Sequence, residues 1–183
     1  GNTKVPYSET DPTNHPISLY AATKRSNELI AHSYSHLYDL PSLGLRFFTI
    51  YGPWGRPDMA PMKFAKQIFE KKTIKVFNYG KMSRGFTYID DAIDIMTKLI
   101  KKPVTGVSNF NSDNPDPSIS WAPHQILNVG NSNNINLLDF ISVLAKEIGE
   151  NAKTEMFSLQ PGDVINTAAD CRLIRDYTNS FPN

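Results

Sequence analysis

The sequence has little that would tie it to an oxidising compartment, a membrane or a polyanion. It carries one cysteine, Cys171, in 183 residues. No internal disulfide can form, which fits a reducing compartment, and the expected setting is cytoplasmic. No apolar run approaches the roughly 18 residues of a membrane span. The opening Gly-Asn-Thr-Lys-Val-Pro lacks the charged-then-apolar order of a secretory signal. Nineteen Lys and Arg stand against eighteen Asp and Glu, a net charge of +1, so no strong field for nucleic acid follows. His32 and His36 have the i,i+4 spacing of a metal pair, but no third ligand stands at a suitable distance and no metal is expected. There is no internal repeat, and no Gly-rich strand–turn–helix unit of the dinucleotide-binding kind precedes Tyr20.

What is present reads as an ordinary globular chain, 40% hydrophobic and 20% charged, long enough for one domain with its own core. Residues 1–17 read as an irregular loop broken by Pro6, Pro12 and Pro16. Ser18 is a good N-cap for a helix to about Tyr38, whose apolar positions are too many for one stripe, so cover on more than one side is expected. Residues 43–51 form a buried-strand candidate, stopped by Gly52-Pro53-Trp54-Gly55. A helix over 59–72, a strand over 74–77, a turn at 78–81 and a strand over 86–89 follow. Asp90 and Asp91 are expected to cap a helix ending near Lys102. Residues 103–123, rich in Asn, Ser, Asp and Pro, read as a mobile surface loop. A strand at 125–129, a helix at 137–148 capped by Asn134 or Asn136, a strand at 155–159, a turn at 160–163 and a helical piece at 171–177 complete the chain.

The stretch with chemistry in it is Ser18-Leu19-Tyr20-Ala21-Ala22-Thr23-Lys24. Tyr20 and Lys24 are spaced i,i+4 and share one helix face. A phenol with a pKa near 10 is a poor base at neutral pH, but an adjacent ammonium favours the phenolate. Lowering that pKa to about 7 takes roughly 4 kcal/mol of differential stabilisation. A Tyr-x-x-x-Lys alone is weak evidence, since a half-buried Tyr beside a solvated Lys is the commoner meaning of the pattern.

Three stretches in order change that balance. They are His15-Pro16-Ile17-Ser18-Leu19-Tyr20-Ala21-Ala22-Thr23-Lys24, then Leu45-Arg46-Phe47-Phe48-Thr49-Ile50-Tyr51-Gly52-Pro53-Trp54-Gly55-Arg56-Pro57-Asp58-Met59, then Asn78-Tyr79-Gly80-Lys81-Met82-Ser83-Arg84-Gly85-Phe86-Thr87-Tyr88-Ile89-Asp90-Asp91. Together they resemble the extended short-chain dehydrogenase/reductases, the NAD-dependent epimerase/dehydratases, and within them the UDP-glucuronate 4-epimerases. The resemblance runs from Gly1 to about Asp170. It implies an α/β fold: the C-terminal part of a Rossmann-type doubly wound fold plus a small α/β domain that binds a nucleotide sugar. Residues 1–58 would be the remnant of the dinucleotide-binding domain and residues 59–183 mainly the UDP-sugar domain. The family's Gly-rich turn and its catalytic Ser or Thr would precede Gly1, so the 183 residues alone are expected to be inactive.

The implied reaction interconverts UDP-glucuronate and UDP-galacturonate at C4, with NAD carrying the hydride and Tyr20 taking the hydroxyl proton. Lys24 would lower the Tyr20 pKa and meet the nicotinamide ribose, and Phe47 would lie beside the cofactor. Arg84, whose planar fork suits phosphate oxygens, would bind the diphosphate after a turn. Val76 and Phe77 would flank the uracil, and Asp163 would meet the uridine ribose. Many relatives carry Arg where this chain has Gln160, which removes one phosphate partner. Thr49 and Arg56 would select the sugar, a hydroxyl and a guanidinium being fitting partners for a C5 carboxylate. The expected assembly is a homodimer or larger, through the helix at 18–38. Two other readings stand beside this one: a nucleotide-sugar dehydratase or another 4-epimerase, and a non-catalytic remnant that binds a nucleotide or another protein.

Overall fold

The computed structural model describes residues 4–180, so the expectations that rest on Gly1 and on Phe181-Pro182-Asn183 lie outside the described residues. The first helix, α1 (Leu19–Tyr38), begins where expected: the Ser18 hydroxyl accepts the Ala21 N–H at 3.1 Å, satisfying a donor the helix cannot. It stops at Asp39, whose φ of 51° is left-handed. Then come β1 (Ser42–Phe47), β2 (Thr49–Tyr51), α2 (Ala60–Phe69), β3 (Thr73–Val76), β4 (Ser83–Tyr88) and α3 (Ile89–Ile100). After a long connection follow β5 (His124–Val129), β6 (Asn134–Asn136), α4 (Leu137–Ile148), β7 (Lys153–Met156), β8 (Asn166–Thr167) and α5 (Arg172–Thr178).

The run read as one strand over 43–51 is two strands serving different partners. β1 lies parallel to β5, with Leu43 opposite Gln125 and Phe47 opposite Val129. The Phe48 N–H still donates to the Val129 carbonyl at 3.0 Å. From Thr49 the chain turns to β4 instead, with Thr49 opposite Phe86. The first half of β4 is held between β6, antiparallel, and β8, parallel. β3 pairs with β7 alone. The short β6 and β8 have no sequence signal of their own; they form because β4 offers them two edges.

Two cores result. One gathers Ala92, Ile95 and Leu99 of α3, Leu127 and Val129 of β5, Ala169, Cys171 and Ile174, with Leu43, Leu45, Phe48 and Ile50 against them. It therefore joins residues on both sides of position 58. The other gathers Phe64 and Ile68 of α2, Ile74 and Val76 of β3, and Ile141 of α4. At Gly130, just after β5, three chain segments meet closely: a Cβ there would lie 2.8 Å from the Ala169 Cβ and 3.0 Å from the Phe48 Cβ.

Several local expectations change. Asp90 and Asp91 do not cap α3; Tyr88 occupies the cap position, and the two acids sit in the first turn, where they favour the positive end of the helix dipole. α1 is not covered on several sides by this chain: Leu29, Ile30, Tyr34, Leu37 and Tyr38 are exposed. Its other face is tied down by charge. Glu28 accepts both Nε (2.7 Å) and Nη2 (3.0 Å) of Arg46 on β1, and Nη1 of Arg25 at 2.8 Å. Burial would raise the Glu28 pKa, but these guanidiniums outweigh it and hold the carboxyl low.

The irregular opening segment is sewn to the sheet rather than loose. Tyr7 bridges Ala169, and the buried Glu9 accepts the Asn128 N–H at 2.8 Å. Residues 103–123, expected as a mobile loop, are likewise docked. Ser118, Ser120 and Ala122 are buried, Ile126 donates to the Ser118 carbonyl, and Ser120 Oγ meets His32 Nε2 at 2.7 Å. Trp121 stands edge-on to His32, and His32 edge-on to His124, each pair 5.4 Å apart. The anchors are the aromatic rings, which a composition reading of the segment passes over.

Among the described residues no helix is long and apolar enough to cross a membrane. Replacing Gly130 by Ala is expected to destabilise the fold by roughly 1–3 kcal/mol, the scale of overpacking, seen as a lower urea midpoint at unchanged slope. An unchanged midpoint would mean that Phe48 and Ala169 have room to move. Burial, chiefly, depresses the pKa of both His32 and His124. The stability from keeping them neutral is present above about pH 6.5, their unfolded value, and is lost as pH falls through the lower folded values. The urea midpoint should therefore fall between about pH 7 and pH 5.5, and fall less in His124→Asn; identical profiles would remove His124 from the effect.

Candidate functional site

Alternation along two strands builds the site. On β3, Ile74 and Val76 are wholly buried in the second core, so Lys75 and Phe77 face the other way. The chain then turns through a 3-10 segment, Phe77–Gly80, in which Asn78 and Tyr79 take φ near 50° and the Asn78 amide donates to the Lys81 carbonyl at 2.7 Å. On β4, Gly85 and Thr87 face inward while Arg84 and Phe86 face the same space as Phe77. Arg84 thus follows the turn, as expected, but lies within the strand rather than ahead of it.

That space is a cavity of about 230 Å³. Thr49, Lys75, Phe77, Arg84 and Asp163 line it, between walls supplied by Met59, Phe64, Phe86 and Phe140. Phe86 and Phe140 stack with centroids 4.4 Å apart and planes 18° apart. Phe77 packs against Phe157 at 5.7 Å. An apolar slot with a few charged groups at its margin suits a flat ring carrying an anionic substituent.

Arg84 is the best-held of these groups. Its Nη1 donates to the carbonyls of Ser83 (2.8 Å) and Ile165 (2.9 Å), and Nη2 to that of Val164 (2.7 Å). Three of five N–H donors are used. The Nε–H and one Nη2 hydrogen make no hydrogen bond among the described residues. Burial lowers the Arg84 pKa, and the nearby Asp163 opposes that shift; a guanidinium stays charged regardless. Two of these bonds, to Val164 and Ile165, hold the segment that delivers Asp163. Its turn closes with the Asp163 N–H on the Gln160 carbonyl at 3.2 Å, Gly162 supplying a φ of 83°.

The remaining residues singled out in the sequence are not gathered here. Val76 has no exposed side chain, and its carbonyl accepts the Phe157 N–H at 2.8 Å. Arg56 is largely exposed, pairs with Asp58 at 2.7 Å, and lines a separate hollow over Gly52, Trp54 and Ile89. Met59 borders both hollows. Tyr20 is 71% exposed, with the Lys24 ammonium 5.4 Å from its ring centroid. Lys24 lines a third hollow with His15, Arg25, Glu28 and Arg46. Phe47 ends β1 half-exposed. The sequence reading missed Lys75, although strict alternation with two β-branched residues was its signal, and Phe140, which comes from a helix more than 50 positions away.

Residues 1–112 match the model of the NAD dependent epimerase/dehydratase family. The chain belongs to that family. It is 49% identical over 169 residues to Protein CapI of Staphylococcus aureus, covering 92% of this chain and 51% of that protein. It is 40% identical over 183 residues to a probable UDP-glucuronate 4-epimerase of Rhizobium meliloti, covering all of this chain and 54% of that one. Among solved structures, the UDP-glucuronic acid 4-epimerase of Bacillus cereus, in complex with UDP-glucuronic acid and NAD, is 31% identical with a TM-score of 0.82, across 100% of this chain and 53% of that one. The chain spans about half the length of the curated relatives it matches. The matched α/β architecture is the one described above, with parallel pairing in β1–β5, β2–β4 and β3–β7.

In this member of the epimerase/dehydratase family the segment bearing Asp163 hangs on Arg84. Arg84→Ala would leave the Val164 carbonyl without its donor and the Ile165 carbonyl with the Ser83 N–H alone, so amide exchange across 163–167 is expected to accelerate about tenfold or more while β5 and α3 keep their protection. Unaltered exchange across 163–167 would show that the segment is held by other contacts.

Proposed function

We propose that the chain is the UDP-sugar-binding part of a nucleotide-sugar 4-epimerase acting on UDP-glucuronate, with residues 1–58 contributing to the NAD side and residues 59–183 mainly to the sugar nucleotide. The observation that carries this reading is the cavity, which collects Thr49, Phe77 with Arg84, and Asp163 from three separate stretches. The relatives whose printed names include this activity support it.

The roles follow from the geometry. Arg84 donates its two remaining N–H groups, on Nε and Nη2, to diphosphate oxygens. The base is read by backbone rather than by Val76. Because Val76 directs its carbonyl at β7, the Lys75 carbonyl and the Phe77 N–H point the opposite way, and β3 has no second partner strand among the described residues. The Lys75 carbonyl and Phe77 N–H form an acceptor–donor edge that matches the N–H and carbonyl of an imide. Asp163 accepts from ribose hydroxyls, and the Thr49 hydroxyl meets the sugar. Arg56 reaches a C5 carboxylate by exchanging Asp58 for it, two equivalent charge-assisted partners.

Tyr20 takes the proton of the C4 hydroxyl and returns it, and Lys24 favours its phenolate form. NAD, when bound, supplies reversible hydride transfer at C4. The donors present fit its ribose: the Tyr20 hydroxyl and the Lys24 ammonium lie on one face, and Lys24 forms no ion pair among the described residues. The chain holds no Gly-rich turn for the dinucleotide phosphates. The exposed apolar positions of α1 support association into a homodimer or a larger assembly.

Calorimetry on the 183 residues is expected to show UDP binding and no tight NAD binding. Arg84→Ala should weaken UDP by roughly 1–3 kcal/mol. In a complete enzyme carrying these residues, Tyr20→Phe should abolish epimerisation and leave UDP-glucuronate binding nearly intact. A chain that ignores UDP would overturn the site; a Tyr20→Phe enzyme within about tenfold of the parent rate would overturn the base.

A further inference from the structure

We propose that Lys75 is a specificity-determining residue of the cavity, the group that makes it prefer a nucleoside diphosphate to a monophosphate or a nucleoside. The proposal rests on the nucleotide reading of the site and extends it to a residue that reading does not use through its side chain.

Three observations lead there. First, strand alternation leaves no other place for the side chain. Ile74 and Val76 fill the second core, so Lys75 projects on the cavity side with Phe77. Second, its charge is uncommitted. Lys75 forms no ion pair among the described residues, and its ammonium rests 5.4 Å from the centroid of Phe157, the ring that packs against Phe77. A cation held over an aromatic face is positioned without being neutralised. Third, the charges on the cavity wall balance without it. Arg84 and Asp163 are opposite in sign and face one another electrostatically. Arg84 also shares its guanidinium among three carbonyls. The net positive charge of the lining is therefore that of Lys75. A diphosphate carries one more ionised phosphate than a monophosphate, and Lys75 is the group placed to answer the difference.

Lys75 is exposed, so its replacement removes charge without disturbing the core, and the stem of Gln preserves part of the contact with Phe157. The experiment is calorimetric titration of the chain, Lys75→Gln and Lys75→Arg with UDP, UMP and uridine at low and high salt, with unfolding midpoints as the control for folding. Lys75→Gln should bind UDP about tenfold more weakly, change little toward uridine, and lose most of the preference for UDP over UMP. Lys75→Arg should restore the preference, and the UDP affinity of the unaltered chain should depend more steeply on salt than that of Lys75→Gln. Equal UDP affinities for the chain and Lys75→Gln would overturn the role of Lys75 and leave the nucleotide site standing. An equal loss toward all three ligands would also overturn it, since that marks packing rather than charge. Failure of the unaltered chain to bind UDP would overturn both readings together.

Discussion

Gly130 has no side chain, and the rest of the architecture turns on that gap. A strand that has followed β5 up to Phe47 must leave it, keep one last hydrogen bond through Phe48, and continue beside β4. The crossing point is where Phe48, Gly130 and Ala169 meet, with less than 3.1 Å available to a Cβ. Close-packed interiors do not absorb an added methyl there without backbone shifts. Because the strand changes partner, Phe47 ends on the β5 side and Thr49 begins on the β4 side, two residues apart. The hollow of Lys24 and the cavity of Arg84 thereby become neighbours in sequence terms while remaining separate spaces.

Charge completes what burial leaves loose. α1 presents many apolar residues outward, so its rotation against β1 depends on the two-pronged contact of Glu28 with Arg46. A half-buried bidentate pair fixes direction better than distance-tolerant apolar contact does. Tyr20, Lys24 and Glu28 lie at successive i,i+4 positions, so a clamp at Glu28 also orients the pair one and two turns before it. Arg84 does the corresponding work on the other side. It gives three N–H groups to backbone carbonyls and keeps two uncommitted among the described residues, so the same side chain shapes the cavity wall and retains donors of its own.

Most elements were legible in the sequence. Ser18 before a run of good helix formers, Gly52-Pro53 after an apolar stretch, and the Ile74/Val76 alternation each have a local cause, and each element stands within a few residues of its expected place. What failed to show shares one feature. β6 and β8 exist only because β4 has edges to fill. The break at Phe48 exists only because two sheets compete for one strand. The docking of 103–123 rests on Trp121 meeting His32 and His36 from another element. None of these has a periodicity of its own.

The division is the same for the site. Sequence alone determined the kinds of groups: a tyrosine and a lysine on one helix face, an arginine whose planar fork suits phosphate, aromatic residues around a short strand, and membership of a family whose motifs those spacings match. Only the tertiary structure decided which of them share a space. It placed Val76 in the core, put Arg56 in a different hollow, and set Lys75 over Phe157 at the edge of the cavity. Residue types and local spacing follow from propensity and period, which act over a few positions. Which charge faces which, and which ring closes a wall, follows from long-range packing, and no short stretch of the chain encodes it.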